Sequence, residues 1–343
     1  MKIPVQNIYF LLLYAWDHVA EGDEAAVAAH GHTRLQDLFA NVLADTTARL
    51  LARGLDRGYL TEEEPVRGVR GKLDLATTLK RNLTAQAQTH CRYDELRYDV
   101  LHNRILKATL RNLLDLDVEE SIRARVRRLY RKLDGVADIR VVSRDFGRVQ
   151  LHRNNRLYDF ALRLCRLIHE NLMIEPGTGE ARFRDFRADE QQMGAVFEEF
   201  VRSFFKREQG RFRVSRPHIP WHDAQGTDYD LERLPTMRSD IVLESPERCI
   251  VLDTKFYHEP LTSRFGTRKV RSDHLYQILA YVGNRTASEK HGAPHEGMLL
   301  YPVVDEAFTF DFRLKGEQVR VRSLNLDQPW PAIHTDLLRL IEA

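Results

Sequence analysis

Two short apolar stretches in the second half of the chain each deliver an acidic residue, and a lysine follows the second acid by two positions. The first reads Met237-Arg-Ser-Asp-Ile-Val-Leu-Glu244. The second, after a turn at Ser245-Pro246-Glu247, reads Arg248-Cys-Ile-Val-Leu-Asp-Thr-Lys255. Residues i and i+2 of a strand point to one face, so Asp253 and Lys255 share a face and Asp240 can join them from the neighbouring strand. Two carboxylates so placed can hold Mg²⁺, a hard cation that takes oxygen ligands and keeps several waters. An adjacent ammonium can steady a developing anion or help position a hydrolytic water. That is the chemistry of metal-dependent phosphodiester cleavage. Asp-x-Lys alone arises by chance in many chains. The weight rests on its setting: Ile250, Val251 and Leu252 form a buried-strand run, and Asp253 stands at the end of it, where a core strand of parallel type opens onto a cleft.

The elements that must position these residues follow from periodicity. After Asp189 the pattern is α/β. A helix is expected over Glu190–Gln209, with Val196, Phe197, Phe200, Val201 and Phe204 inward. Strands are expected near Phe212–Ile219, Arg238–Glu244 and Arg248–Lys255, then a helix over Ser272–Asn284. Strands near Gly297–Pro302, Ala307–Leu314 and Val319–Leu324 and a helix over Ala332–Glu342 complete the pattern. The first half reads as helices: Ile8, Leu11, Leu12, Ala15 and Val19 at helical spacing behind Asn7 as cap, then Leu35–Arg53 ending at Gly54, Val100–Leu116, Val118–Leu133 and Asn155–Leu172. Arg123, Arg127 and Arg131 line one stripe, read as a solvated face in preference to a phosphate contact. Gly58–Arg97 breaks the helical pattern with turn glycines and alternating charge, and reads as short strands and projecting loops. Glu175-Pro-Gly-Thr-Gly-Glu180 is the linker candidate. The expected division is therefore an α+β domain over 1–180, helices plus a small β or finger element, and an α/β domain with a mixed central sheet over 181–343.

Composition excludes several classes. The 343 residues are 43% hydrophobic and 30% charged, as in ordinary globular proteins. Net charge is +2 from 52 basic and 50 acidic residues, so any DNA-binding surface must be a local patch. Cys91, Cys165 and Cys249 are scattered and odd in number, which argues for a reducing compartment and against a disulfide framework or a zinc site. The fourteen histidines show no H-E-x-x-H spacing. The apolar run Ile8–Ala15 is cut by Asp17 and His18 and lacks a small-residue cleavage site, so neither a signal peptide nor a membrane span is expected, and the protein is expected in the cytoplasm. Gly68-Val-Arg-Gly71-Lys72-Leu73 is too short between glycines for a phosphate-binding loop and lacks the hydroxyl that would hold Mg²⁺. Its glycines are turn or bulge residues, no nucleotide is expected on this chain, and any nucleotide hydrolysis must come from a partner.

Asp240, Asp253 and Lys255 resemble the PD-(D/E)xK nuclease superfamily, with Ser239 in place of the proline that names the motif. Gln277-Ile-Leu-Ala-Tyr281 is similar to the Q-x-x-x-Y element of the RecB-like branch, where the pair lines the active site or contacts DNA. Further segments resemble the McrC family in order: Pro4-Val-Gln-Asn-Ile-Tyr-Phe-Leu-Leu-Leu-Tyr-Ala-Trp16, Gly68-Val-Arg-Gly-Lys-Leu-Asp74, Asn103-Arg-Ile-Leu-Lys107, Arg128-Leu-Tyr-Arg-Lys-Leu133, Tyr301-Pro-Val-Val-Asp305 and Trp330-Pro-Ala-Ile-His334. The resemblance spans almost the whole chain. It implies a restriction-endonuclease-like C-terminal domain that cuts double-stranded DNA with Mg²⁺, Mn²⁺ being the alternative ion. It also implies an N-terminal part that engages the pore of a McrB-like AAA+ GTPase hexamer and stimulates its hydrolysis. The McrB partner reads the target, typically a modified cytosine.

The expected site follows. Asp240 and Asp253 ligate the metal, and Lys255, Gln277 and Tyr281 complete the catalytic set. Related nucleases often add a carboxylate from the helix before the first core strand, which makes Glu198 or Glu199 a third candidate ligand against a solvated helix acid. Arg264, Arg268, Lys269 and Arg271 are candidate phosphate contacts from the loop before the Gln277 helix, their alternative being solvated arginines. Arg67, Arg70 and Lys72 are candidate partner contacts on a pore-inserting finger within Gly58–Arg97. Its rival is a small β-subdomain that touches nothing. Two other functions compete: a free-standing RecB-like nuclease, which leaves the large N-terminal half without a task, and a non-catalytic activator of a ring NTPase, which leaves Asp240, Asp253 and Lys255 without one.

Overall fold

A computed structural model of the chain describes residues 2–22, 33–152, 155–175, 180–264, 267–288 and 293–342. It forms two compact units, Arg34–Arg184, and Met1–Thr33 together with Asp185–Ala343. The break at 184/185 lies close to the expected 180/181. The first 33 residues group with the C-terminal unit, not with the N-terminal helices. The reason is aromatic packing. In the Val5–Ala15 helix, Phe10 stacks on Trp330 at 4.6 Å, and Tyr14 packs within 6 Å of Phe200, Phe204 and Trp330. Each such pair adds roughly 0.5–1.5 kcal/mol beyond its buried area. The helix begins at Val5, so Asn7 lies inside it and is not its cap; its side-chain amide donates to the carbonyls of Leu326 (2.8 Å) and Gln328 (2.9 Å).

In the Arg34–Arg184 unit, helices Leu35–Arg53, Leu101–Leu114, Glu120–Arg131 and Arg156–Asn171 pack on one another through buried apolar faces. Gly54 ends the first with φ +86°, a left-handed conformation only glycine adopts without cost. In the Glu120–Arg131 helix, Ile122, Val126 and Leu129 face inward; Arg123 is tied to Glu120 and the Leu116 carbonyl, while Arg127 and Arg131 are exposed.

Between the first two helices stands a three-stranded sheet, β1 (Gly58–Arg67), β2 (Lys72–Leu73) and β3 (Gln88–Arg97), in the order β1-β3-β2. β1 and β3 pair antiparallel from Gly58↔Arg97 to Arg67↔Gln88. Most of this ribbon is exposed, apart from a small core at Leu83, Cys91 and Tyr93. Gly68 and Gly71 turn the chain at its tip with φ +83° and +64°, and a Cβ on Gly71 would come within 2.6 Å of the Arg92 carbonyl oxygen. The unit ends with a short pair, β4 (Leu172–Ile174) and β5 (Ala181–Phe183); of the expected linker, residues 176–179 lie outside the described residues.

The C-terminal unit is built on a mixed six-stranded sheet. Its strands are β6 (Arg213–Ser215), β9 (Ile241–Glu244), β10 (Cys249–Thr254), β13 (His295–Val303), β14 (Thr309–Leu314) and β15 (Glu317–Asn325), in the order β14-β15-β13-β10-β9-β6. β13 runs parallel to β10 and β15; β9, β6 and β14 pair antiparallel. A small pair, β7 (His218–Ile219) and β8 (Met237–Arg238), precedes β9. The Ser272–Ser288 helix joins β10 to β13 and covers one face, where Ile278, Tyr281 and Val282 pack on Val251, Leu299, Tyr301, Val319 and Val321. The Glu190–Glu208 helix buries Phe197, Phe200, Val201 and Phe204 as its periodicity predicts, whereas Val196, also expected inward, is only half-buried. The segment expected as a loop before the Gln277 helix is a hairpin, β11 (Leu261–Arg264) with β12 (Thr267–Val270). Its short, charged strands lack the apolar alternation that marks a strand. Among the described residues no helix is long and apolar enough to cross a membrane.

Candidate active site

β9 and β10 pair with Leu252 opposite Ile241. Asp253 is the next residue of β10, and Asp240 directly precedes β9, so both acids come to the same end of the paired strands. Asp253 is two residues beyond Val251 and so shares its face, the one under the Ser272–Ser288 helix.

Asp240 is held from outside the carboxylate pair. Its Oδ2 accepts from the backbone amide and from the hydroxyl of Thr254, each at 2.7 Å. Asp253 is 2% exposed, and Lys255 Nζ lies 2.6 Å from its Oδ2. The same ammonium donates to Gln277 Oε1 at 2.7 Å, and Gln277 Nε2 donates to the Tyr281 hydroxyl at 2.7 Å. The residues four apart on the helix do share a face and act in series. Gln277 reaches the lysine, whereas Tyr281 is a buried core aromatic standing one step behind it.

Electrostatics bind the acids into one system. Burial pushes the Asp253 carboxyl up, and the Asp240 carboxylate adds to the shift; Lys255 opposes them without cancelling, and the group stands at about 7. Burial lowers the Lys255 ammonium, but Asp253 outweighs it and the lysine ends above its usual value. Glu198, on the Glu190–Glu208 helix, is raised by burial and then by Asp240, with Arg216 opposing. Glu198 is ion-paired to Arg216, while Glu199 turns to Arg202. Among the described residues no three His, Cys, Asp or Glu side chains are gathered as a ready-made metal cage. Asp240 and Asp253 nonetheless suit a hard cation: both are oxygen donors, and their mutual repulsion is what a divalent ion would relieve.

The expected DNA contacts are only partly brought together. Lys269 and Arg268 are neighbours on β12, so they project to opposite faces of the hairpin. Arg268 is exposed, 3.8 Å from Glu306, and borders a pocket of about 480 Å³ lined also by His258, Leu261, Asp305 and Phe308. The Arg271 guanidinium lies 4.8 Å over the Tyr257 ring, two residues past Lys255. The side chain of Arg264 lies outside the described residues. On the ribbon, Arg67 and Lys72 are exposed, whereas Arg70 folds back over the Tyr93 ring (4.0 Å) and toward Glu95 (3.4 Å).

Three side chains at the site carry no signal in the motif. Thr254 is the variable position between Asp253 and Lys255, yet it fixes Asp240. His274 and Tyr301 hydrogen-bond to each other beneath Lys255. The spacing His274, Gln277, Tyr281 is i, i+3, i+7 on one helix face, which is the pattern that could have drawn His274 into the set.

Comparison with known proteins identifies the family of the chain. A family profile described as McrBC 5-methylcytosine restriction system component matches residues 6–302. The chain is 32% identical over 341 residues to the type IV methyl-directed restriction enzyme EcoKMcrBC of Escherichia coli (strain K12), covering 99% of this chain and 97% of that one. It also superposes on a chain from a tetradecameric assembly of Thermococcus gammatolerans McrB AAA+ hexamers with bound McrC, with a TM-score of 0.60 and 19% identity, over 97% of this chain and 76% of that one.

Proposed function

The chain belongs to the McrBC 5-methylcytosine restriction system component family, and from that premise we propose that it is the McrC-like nuclease subunit of a DNA restriction system. The observation that carries the proposal is the buried Asp253–Lys255 pair at the end of a core strand, with Asp240 held by Thr254 beside it. Asp240 and Asp253 would hold Mg²⁺, with Glu198 as a further carboxylate within electrostatic reach. The ion, when bound, supplies Lewis-acid polarisation of a phosphoryl oxygen and a more acidic bound water. The protein's own groups orient and stabilise. Thr254 fixes the Asp240 carboxylate, and a hydrogen bond to Gln277 and the ion pair with Asp253 hold the Lys255 ammonium, whose remaining donors would serve a phosphate oxygen or the attacking water.

The partner proposed is an AAA+ GTPase hexamer of the McrB type, as bound to McrC in the Thermococcus assembly. The exposed ribbon Gly58–Arg97, with Arg67, Arg70 and Lys72 near its tip, is the segment proposed to engage the ring and stimulate its GTPase. Duplex DNA would meet the C-terminal unit near Arg268, Lys269 and Arg271, in the cytoplasm. The test is cleavage of methylated and unmethylated plasmid with Mg²⁺, with and without the GTPase partner and GTP. Cleavage that requires both supports the proposal. Cleavage by this chain alone would favour a free-standing nuclease. GTPase stimulation without any cleavage would favour a pure activator.

A further inference from the structure

Carried one step past Thr254↔Leu300, the parallel β10–β13 register sets Tyr301 beside Lys255, and the Lys255 amide donates to the Leu300 carbonyl at 2.9 Å. Tyr301 is fully buried among Leu299, Val319, Val321 and Ile278. Its hydroxyl meets His274 Nδ1 at 2.7 Å. His274 is 3% exposed and lies on the same helix face as Gln277, which holds Lys255. Its other ring nitrogen, Nε2, is buried without a hydrogen bond, 3.7 Å from Asp273 Oδ2. Burial and the neighbouring Lys255 ammonium hold the imidazole down at about 4, so it is neutral beside the lysine. The rings continue outward: His274 lies 5.8 Å from Tyr301 and 5.1 Å from Tyr257, over which Arg271 sits.

Stability alone does not call for this pair. Burying a hydroxyl and an imidazole costs free energy that one hydrogen bond only partly offsets, and apolar groups of the same shape are often neutral or better. Phe308 packs against the Tyr301 ring already, and a phenylalanine at 301 would extend that packing without a buried hydroxyl. An unsatisfied buried nitrogen on the partner ring sharpens the question.

We propose that Tyr301 and His274 are positioning residues for DNA cleavage, forming the buried floor that fixes Lys255 between Asp253 and Gln277. This rests on the nuclease reading above. Lys255 is a flexible side chain with three donors, one given to Gln277, and its ammonium is ion-paired with Asp253. The direction of its remaining donors depends on where the stem lies, and the register sets that stem beside Tyr301. The hydroxyl–imidazole bond locks the Tyr301 ring to the Gln277 helix, so strand, helix and lysine hold one geometry. A neutral His274 adds no second cation to compete with Lys255 for Asp253.

The test uses the full chain with its GTPase partner, GTP, Mg²⁺ and plasmid. Tyr301→Phe should lower cleavage kcat by roughly ten-fold or more, the size of effect expected when a supporting hydrogen bond lets a catalytic group drift. DNA KM and GTPase stimulation should stay near wild type, and the thermal midpoint should fall only modestly, as the buried His274 nitrogen loses its partner. His274→Phe should match it, and His274→Asn, whose amide can occupy the Nδ1 position, should restore most of the rate. Wild-type kcat in Tyr301→Phe overturns the proposal, as does a kcat loss in every variant that simply tracks loss of thermal midpoint. Asp253→Ala separates the two claims: if it is inactive while Tyr301→Phe is normal, only the positioning role fails. If Asp253→Ala itself cleaves, the nuclease reading fails.

Discussion

Thr254 donates twice to one oxygen of Asp240, from its amide and from its hydroxyl, both at 2.7 Å. Its amide would face the neighbouring strand whatever the residue, but the hydroxyl is specific. Hydrogen bonds to charged acceptors contribute about 1.5–3 kcal/mol. Thr254→Val keeps the β-branched shape and the amide while removing the second bond. Cleavage kcat should fall several-fold to about ten-fold, and Thr254→Ser should retain most of it. Equal rates for the valine and serine variants would show that the hydroxyl does not orient Asp240.

Asp253 makes the folded protein sensitive to pH. Its folded-state value, about 7, lies above the ordinary carboxyl value of 3.8, chiefly because of burial and then Asp240. A group that binds its proton more tightly when folded favours folding at low pH, and that contribution is lost as pH rises from about 4 toward 7. Above pH 7 the wild type carries a buried charge. Asp253→Asn removes it and should melt higher than wild type at pH 8 in metal-free buffer, with the gap narrowing toward pH 4. A gap that is constant across that range would mean Asp253 is already an unstrained carboxylate. The same variant should be inactive in cleavage and unimpaired in GTPase stimulation.

A divalent cation should act on the same repulsion from the other direction. Mg²⁺ at millimolar concentration is expected to raise the thermal midpoint of the wild type at pH 8, through preferential binding to the folded state. Asp240→Asn and Asp253→Asn should each abolish the rise. Glu198→Gln decides the third carboxylate: if Glu198 leaves Arg216 to bind the ion, the Mg²⁺ shift shrinks. An undiminished shift assigns Glu198 to its ion pair alone.

The acids were legible in the sequence because their placement follows from strand periodicity and a short turn, both local properties. The helices of the first unit were legible for the same reason, through their 3.6-residue stripes. What stayed hidden depends on contacts between distant segments. Nothing local tells that Val5–Ala15 packs with Trp330, since its apolar face suits either unit. Tyr301 reads as one more apolar strand position until β13 is laid beside β10, and Thr254 reads as a spacer until Asp240 is opposite it. The β11–β12 hairpin was not legible because polar strands of four residues have no apolar alternation to detect.

That hairpin yields a prediction that a loop would not. Arg268 and Lys269 point to opposite faces, so a duplex lying on one face reaches only one of them. Arg268→Glu and Lys269→Glu should be tested singly, in an Asp253→Ala background that binds without cutting. One of them should flatten the dependence of log affinity on log salt by about 0.9 per lost phosphate contact, and the other should leave it unchanged. If neither substitution alters the slope, the hairpin lies away from DNA and Arg271 remains the phosphate contact to test.

A buried asparagine ties the two ends of the ribbon together at its base. Asn103, fully buried, donates through Nδ2 to the carbonyl of Asp56 (3.0 Å), two residues before β1, and to that of Tyr98 (2.8 Å), just after β3. Its Oδ1 accepts from the Tyr158 hydroxyl at 2.9 Å, and that hydroxyl in turn accepts from the Asp56 amide at 2.8 Å. Both ends of the ribbon are thus pinned to two helices of the same unit. If the ribbon inserts into a ring, its tip can be useful only while that base is rigid. Asn103→Ala removes the partner of two part-buried carbonyls and of the buried Tyr158 hydroxyl, and should cost about 1–3 kcal/mol of stability in its unit. Asn103→Asp keeps the acceptor and loses the donors. Both should reduce GTPase stimulation, as should Arg67→Ala with Lys72→Ala at the tip, while that tip pair leaves thermal stability unchanged. Arg70, folded onto Tyr93, should matter less than either. Full stimulation in the Arg67→Ala, Lys72→Ala protein would place the partner contact elsewhere, and the ribbon would then be a small β-subdomain with its own core at Leu83, Cys91 and Tyr93.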